Sequence, residues 1–195
     1  PGLRAFRHRD FRLYFTGQLI SLAGTWMQSV AQGWLMHRLT SSAFMLGLLS
    51  FAQFAPVLPL ALPAGGVGDH TPKRRLLLAT QGLMLLQAVA LAWVVSAGVV
   101  RPWMVIVLAV VYGVVNTFDL PARQSIIVEM TGKEDLPNGI ALNSAAFNMA
   151  RILGPAVAGV MLATIGEAGC FWLNALSYVA GLVCLAMMRG APAAA

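Results

Sequence analysis

The sequence of 195 residues is 58% hydrophobic and only 10% charged, with a mean hydropathy of +0.75, against about 25% charged residues in an average soluble domain; that balance excludes a water-soluble fold. The formal charge of +6 would point to a nucleic-acid partner only as a basic face on a soluble surface. Here the basic residues punctuate long apolar runs, so the expected partner is a lipid bilayer and no nucleic acid is expected.

A helix that crosses a bilayer needs about 20 mostly apolar residues. Six such runs follow one another, at 13–36, 44–64, 76–97, 103–120, 140–165 and 171–188. Hydrocarbon offers the backbone no water, so each run must be helical. The predicted fold class is an all-α membrane protein, a six-transmembrane-helix bundle over residues 1–190. The first run is too long for a signal-peptide core and lacks a small-residue cleavage pattern, which makes it a permanent span. The chain opens on Pro1 and closes on the Ala-rich segment 191–195, so it reads as a fragment whose last residues begin a central linker or a truncated tail. With the N-terminus inside, ten Lys/Arg lie on the inner side and only Arg38 and Arg101 outside. The positive-inside rule then puts both ends in the cytoplasm.

On the first run, Gln18, Ser21, Thr25, Gln28, Ser29 and Gln32 fall within an arc of about 100° at helical spacing. Exposing amides to hydrocarbon costs several kcal/mol per group, so this face turns into a water-filled cavity or engages in interhelical amide bonding. The second run carries Pro56, Pro59 and Pro63, which should bend or loosen its helix or serve packing. After it stands Gly65-Gly-Val-Gly-Asp69-His-Thr-Pro-Lys73-Arg74-Arg75. There Gly65 permits tight packing where the helix ends, Asp69 can meet a helix N-terminus or a basic partner, and Lys73 to Arg75 can anchor to anionic headgroups. The third run is poorer in strongly polar residues.

The fourth run stacks Tyr112, Asn116, Asp119 and Arg123 on one stripe, and the fifth adds Ser144, Asn148 and Arg151. An arginine at mid-span costs about 2.5–3.5 kcal/mol on translocon scales. Arg151 therefore either acts on substrate or coupling, or forms a structural ion pair with Asp119 or with a residue outside this segment. Gly154, Ala158 and Gly159 let helices approach closely, and Pro155 should introduce a bend. Asn174 and Tyr178 on the sixth run read as interhelical or interfacial groups. Cys170 and Cys184 lie fourteen residues apart in one helix and cannot pair. No His/Cys/Asp cluster occurs at spanning depth, and Ser144 and Ser177 lack a base, so neither an enzyme nor a metal or cofactor site is expected.

The glycine, aspartate and basic residues at 65–75 resemble the loop between helices two and three of the major facilitator superfamily, with His70 and Pro72 departing from the usual Arg/Lys and Gly. Arg151-Ile-Leu-Gly154-Pro155-Ala-Val-Ala-Gly159 resembles the glycine-proline element of its exporters, with Ala158 in place of a glycine. Together with Asp119-Leu-Pro-Ala-Arg123-Gln124, Glu134-Asp135-Leu136 and Asn143-Ser144, these segments resemble the enterobactin-exporter, transmembrane secretion effector and macrolide-efflux branch. The resemblance implies the N-terminal half of a twelve-helix fold in the bacterial cytoplasmic (inner) membrane, with a C-terminal six-helix half as partner. It further implies export of a siderophore-like or drug-like small molecule by alternating access, driven by proton motive force and without a cofactor. The superfamily's intramembrane arginine of helix four has no counterpart, since Arg101 sits at the mouth. Site expectations are then a substrate pathway of Gln28, Gln32, Tyr112, Asn116, Asp119, Asn148 and Arg151, a gate loop of Gly65, Asp69, Lys73 and Arg74, and a packing motif of Gly154, Pro155 and Gly159. The alternatives are a general multidrug/proton antiporter and, for a chain that is naturally one half, a non-transporting membrane scaffold.

Overall fold

Apolar runs that must satisfy their own backbone hydrogen bonds form helices along nearly the whole chain. The computed structural model describes residues 4–188, excepting the side chains of Asp69 and Lys133. The Asp69 carboxylate and the tail 191–195 thus lie outside the described residues. A short 3-10 turn, Arg4–Arg7, leads into α1 (Arg9–Thr40), α2 (Ala43–Phe54), α3 (Val57–His70) and α4 (Lys73–Ser96). The remaining helical trace, Pro102–Met187, is broken at Gly132 (φ 66°, ψ 177°) and Gly166 (φ 70°, ψ −178°). Only glycine adopts that region readily, so these two residues divide the trace into α5 (102–131), α6 (133–165) and α7 (167–187). The expected all-α membrane fold is the one observed.

Among the described residues, four stretches are long and apolar enough to cross a membrane: Ala43–Gly68, Lys73–Ser96, Pro102–Gly132 and Glu134–Met187. The last, of 54 residues, holds α6 and α7 back to back across Gly166. The 32 residues of α1 are ample in length, but its row of amides and hydroxyls dilutes its apolar character. The second run is interrupted between α2 and α3 for a reason the prolines supply. Pro56 has no N–H for the Ala52 carbonyl and Pro59 has none for Ala55, so Leu58 N donates to Ala55 O at 3.3 Å and tightens the turn. Pro63 sits inside α3 without such a break. Pro155, from which a bend is expected, lies within continuous helical φ/ψ.

Contacts at the rod ends define the topology. Ala5 N donates to Asn138 Oδ1 at 2.9 Å and Arg9 Nη1 to Met187 O at 3.3 Å, which gathers the starts of α1 and α6 and the end of α7 at one end. At the other, Arg38 grips Glu167 with two bonds of 2.8 and 2.7 Å, and Trp172 Nε1 donates to Ser96 Oγ at 3.1 Å. The apolar core forms three layers: one around Phe11, Leu77 and Ile126 near the termini, one around Met84, Val115 and Tyr178, and one around Leu35, Leu91 and Phe171. Along the α1–α7 crossing, a Cβ on Gly24 would stand 2.2 Å from Ser177 Oγ and one on Gly17 would stand 2.9 Å from Cys184 Cβ. The two helices therefore meet backbone to side chain. Cys170 and Cys184 are both free thiols.

Candidate functional site

The polar row of α1 has to face away from hydrocarbon, and it does so by turning toward α5 and α6. Between these rods lies a cavity of about 580 Å³. Its α1 wall is Gln18, Ser21, Thr25, Gln28, Ser29 and Gln32; α5 supplies Tyr112, Asn116, Asp119, Arg123 and Gln124; α6 supplies Asn143, Ser144 and Asn148. Apolar patches come from Trp26, Phe54, Met84 and Phe147, and the Trp26 and Phe147 rings meet edge-on at 6.4 Å.

Not every amide on this wall is available to a ligand. Asn174 Nδ2 donates to Gln28 Oε1 at 2.7 Å, Gln28 Nε2 to Gln87 Oε1 at 3.1 Å, and Gln87 Nε2 to Leu108 O at 3.2 Å. This chain joins α7, α1, α4 and α5 through mid-bundle. Gln32 Nε2 donates to Val105 O at 3.4 Å. Gln28 and Gln32 are 4% and 2% exposed, so the two α1 amides expected on the pathway touch the cavity while serving interhelical bonds. Ser29, Gln124, Ser144 and Asn148 are the exposed polar groups of the wall. Tyr178 shares a 3.1 Å bond with Thr25, so Asn174 and Tyr178 are both interhelical contacts.

Asp119 is 1% exposed and accepts from Thr80 Oγ1 at 2.6 Å and from Arg123 Nε one turn on. Tyr14 donates to the Arg123 carbonyl at 3.3 Å. Of the alternatives for Arg151, an ion pair with Asp119 is not formed, because the carboxylate is taken by Thr80 and Arg123. The third run, poorer in strongly polar residues, turns the ones it has inward. Thr80, Gln81 and Gln87 are all buried on α4, and the seven-residue spacing of Thr80 and Gln87 was a readable sign of one inward stripe. Gln18 Oε1 and Gln81 Oε1 are buried without a hydrogen-bond partner among the described residues.

Arg151 is exposed and has no hydrogen-bond or ion-pair partner among the described residues. It is the one expected pathway residue that does not line the cavity. Three residues on, a Cβ at Gly154 would stand 2.6 Å from Trp26 Cβ, whereas nothing comes within 4 Å of one at Gly159. Ala158, 1% exposed, completes the seam with Gly154 that Gly159 was expected to share.

In the loop before α4, the helix continues past Gly65 to His70, and nothing lies within 4 Å of a Cβ on Gly65. Tight packing at Gly65 is therefore not found among the described residues. Lys73 Nζ donates to Gly68 O, which ties the loop to itself. Arg74 donates to Leu185 O at 2.9 Å and Ala186 O at 2.7 Å. It caps the carbonyl end of α7, where a cation is favoured by the helix dipole. The cavity residues that sequence reasoning missed include Gln53 and Phe54 at the end of α2, the two rings Trp26 and Phe147, and the aliphatic Leu22, Met84 and Leu120. A lone ring on an otherwise apolar helix carries no sign of which way it faces.

The sequence profile described as transmembrane secretion effector matches residues 2–194. The chain is 27% identical over 176 residues to the Staphyloferrin A transporter of Staphylococcus aureus, covering 89% of this chain and 44% of that protein. It is 28% identical over 179 residues to the multidrug efflux pump Tap of Mycolicibacterium fortuitum, covering 87% and 44%. To the uncharacterized MFS-type transporter YfiS of Bacillus subtilis it is 23% identical over 169 residues, covering 86% and 39%. The chain spans less than half the length of these curated relatives, all of which are named for transport.

Proposed function

The chain belongs to the transmembrane secretion effector family, and on that premise we propose that it forms one half of a secondary transporter that exports a small molecule by alternating access. The carrying observation is the cavity of about 580 Å³ walled by amides, hydroxyls and aromatic rings inside an all-helical membrane bundle. Its size falls in the range of small-molecule sites, about 300–1,000 Å³. In this reading Tyr112, Asn116, Asn148 and Arg151 meet the substrate, and the Asp119–Arg123 pair steadies the wall beneath it. A second six-helix half supplies the opposing wall, and the two rock about the site. Asp69 and its basic neighbours bear on the gate between the halves, both ends of the segment are cytoplasmic, and proton motive force drives the cycle across a bacterial cytoplasmic membrane.

A general multidrug antiporter is the second reading. It is favoured by likeness to a protein named as a multidrug efflux pump and by the rings beside the amides. Reconstitution of the full-length protein in vesicles with an imposed proton gradient tests both. Gradient-dependent flux that falls in Asn116→Leu and Asn148→Leu, at unchanged insertion, is expected. Wild-type flux in both variants would remove the cavity from the transport path.

A further inference from the structure

Charge is distributed unevenly around the cavity. Of the seven acidic residues, Asp119 alone lines it, and its carboxylate is held by Thr80 and Arg123. Asp10, Asp69, Glu129, Glu134, Asp135 and Glu167 belong to the first or last turns of the rods. Asp135 meets His8 at 3.0 Å and Glu167 meets Arg38. This half offers a cationic ligand no uncommitted carboxylate at cavity depth.

Arg151 stands on the other side of that balance. At about 100° per residue, the α6 residues that line the cavity, Asn143, Ser144, Phe147 and Asn148, span an arc from roughly −40° to +100° about the Phe147 direction. Arg151 falls at roughly +40°, near the middle of the arc and one turn farther along. It sits near the midpoint of α6, and Gly154, three residues on, rests against the cavity residue Trp26. Arg151 therefore stands on the cavity-facing side of α6 just beyond the residues that line the cavity, without a hydrogen-bond or ion-pair partner among the described residues, and with Asn148 and Ser144 one and two turns behind it.

We infer that the transported molecule carries a carboxylate or a comparable anionic group, received by the Arg151 guanidinium, with the body of the molecule lying against the amides and rings below. The inference rests on the transport reading above and names the substrate class of that site. Arg151 here touches the substrate as a planar, two-pronged donor matched to an oxyanion.

Two xanthene dyes of similar skeleton and opposite charge, fluorescein and rhodamine 123, separate charge from shape. With the full-length protein in vesicles, binding is read by tryptophan quenching and flux by dye release. Fluorescein should bind about ten- to hundredfold more tightly than rhodamine 123. Arg151→Gln should erase that preference, and Arg151→Lys should keep part of it. Melting curves confirm folding of both variants, which remove no hydrogen bond or ion pair made among the described residues. Preference for rhodamine 123, or a fluorescein preference that survives Arg151→Gln, overturns the anionic class and leaves transport standing. If the folded protein neither binds nor moves either dye, the transport reading fails and this inference with it.

Discussion

Arg123→Gln is the sharpest single perturbation of the site. It leaves the Asp119 carboxylate, 1% exposed, with Thr80 Oγ1 at 2.6 Å as its remaining side-chain donor. Breaking one side of a buried pair costs about 3–5 kcal/mol. A domain of this size loses about 2–4 °C of melting midpoint per kcal/mol, so the variant should melt about 6–20 °C below wild type. Asp119→Asn should cost less, because the Arg123 side chain is 13% exposed and can turn its charge toward the cavity. The double variant Asp119→Asn/Arg123→Gln buries no unpaired charge and should recover more than half of the single-variant loss. Circular dichroism melts of the purified protein in detergent measure all three. If Arg123→Gln melts within about 2 °C of wild type, or the double variant melts below Arg123→Gln, the pair does not stabilise the wall as described.

The α1–α7 crossing should not tolerate Gly24→Ala, whose Cβ would lie 2.2 Å from Ser177 Oγ and 2.5 Å from Asn174 Oδ1; overpacking of this kind costs about 1–3 kcal/mol. Gly33→Ala, with nothing within 4 Å, is the matched control, and equal melts for the two would contradict the close crossing. Gln81→Leu removes a buried oxygen that has no partner and should be neutral or stabilising by up to about 1 kcal/mol; a loss above about 2 kcal/mol in a denaturant titration would show that the amide is needed. Arg74→Ala uncaps Leu185 and Ala186 and should speed hydrogen exchange in the last turn of α7. Arg74→Lys should restore this only in part, and unchanged exchange in the alanine variant would argue against the cap.

Helix-forming runs and the polar face of α1 were legible because bilayer and helix geometry act on every residue in the same way. The stripe of Tyr112, Asn116, Asp119 and Arg123 likewise follows from spacing alone, and all four residues line the cavity. What spacing could not distinguish was a polar group offered to a ligand from one committed to a neighbouring helix. Gln28 and Asn116 look alike in the sequence, yet Gln28 lies between Asn174 and Gln87. That outcome depends on which helix stands opposite, a tertiary fact. The cap made by Arg74 was not legible for a related reason: a basic loop residue beside a membrane has a general attraction to headgroups, and only the fold brings the end of α7 within its reach.

The amide chain from Asn174 through Gln28 and Gln87 to Leu108 has a mechanical side. Sliding any one of α1, α4, α5 or α7 by a single residue rise, about 1.5 Å, would strand several buried amides at once. These four rods therefore resist shear as a block. Among the described residues, no hydrogen bond joins residues 140–164 of α6 to another rod. That helix is fastened near its ends, by Asn138 and Asp135 on one side and by Glu167 just past Gly166 on the other. Between the fastenings it rests on Trp26 through ring and glycine contacts, and through Ala158, Met161 and Leu162 on the apolar layer around Leu35 and Phe171. It is held like a bowstring, tied by polar bonds at both ends and by apolar contacts alone along the stretch where Asn148 and Arg151 stand.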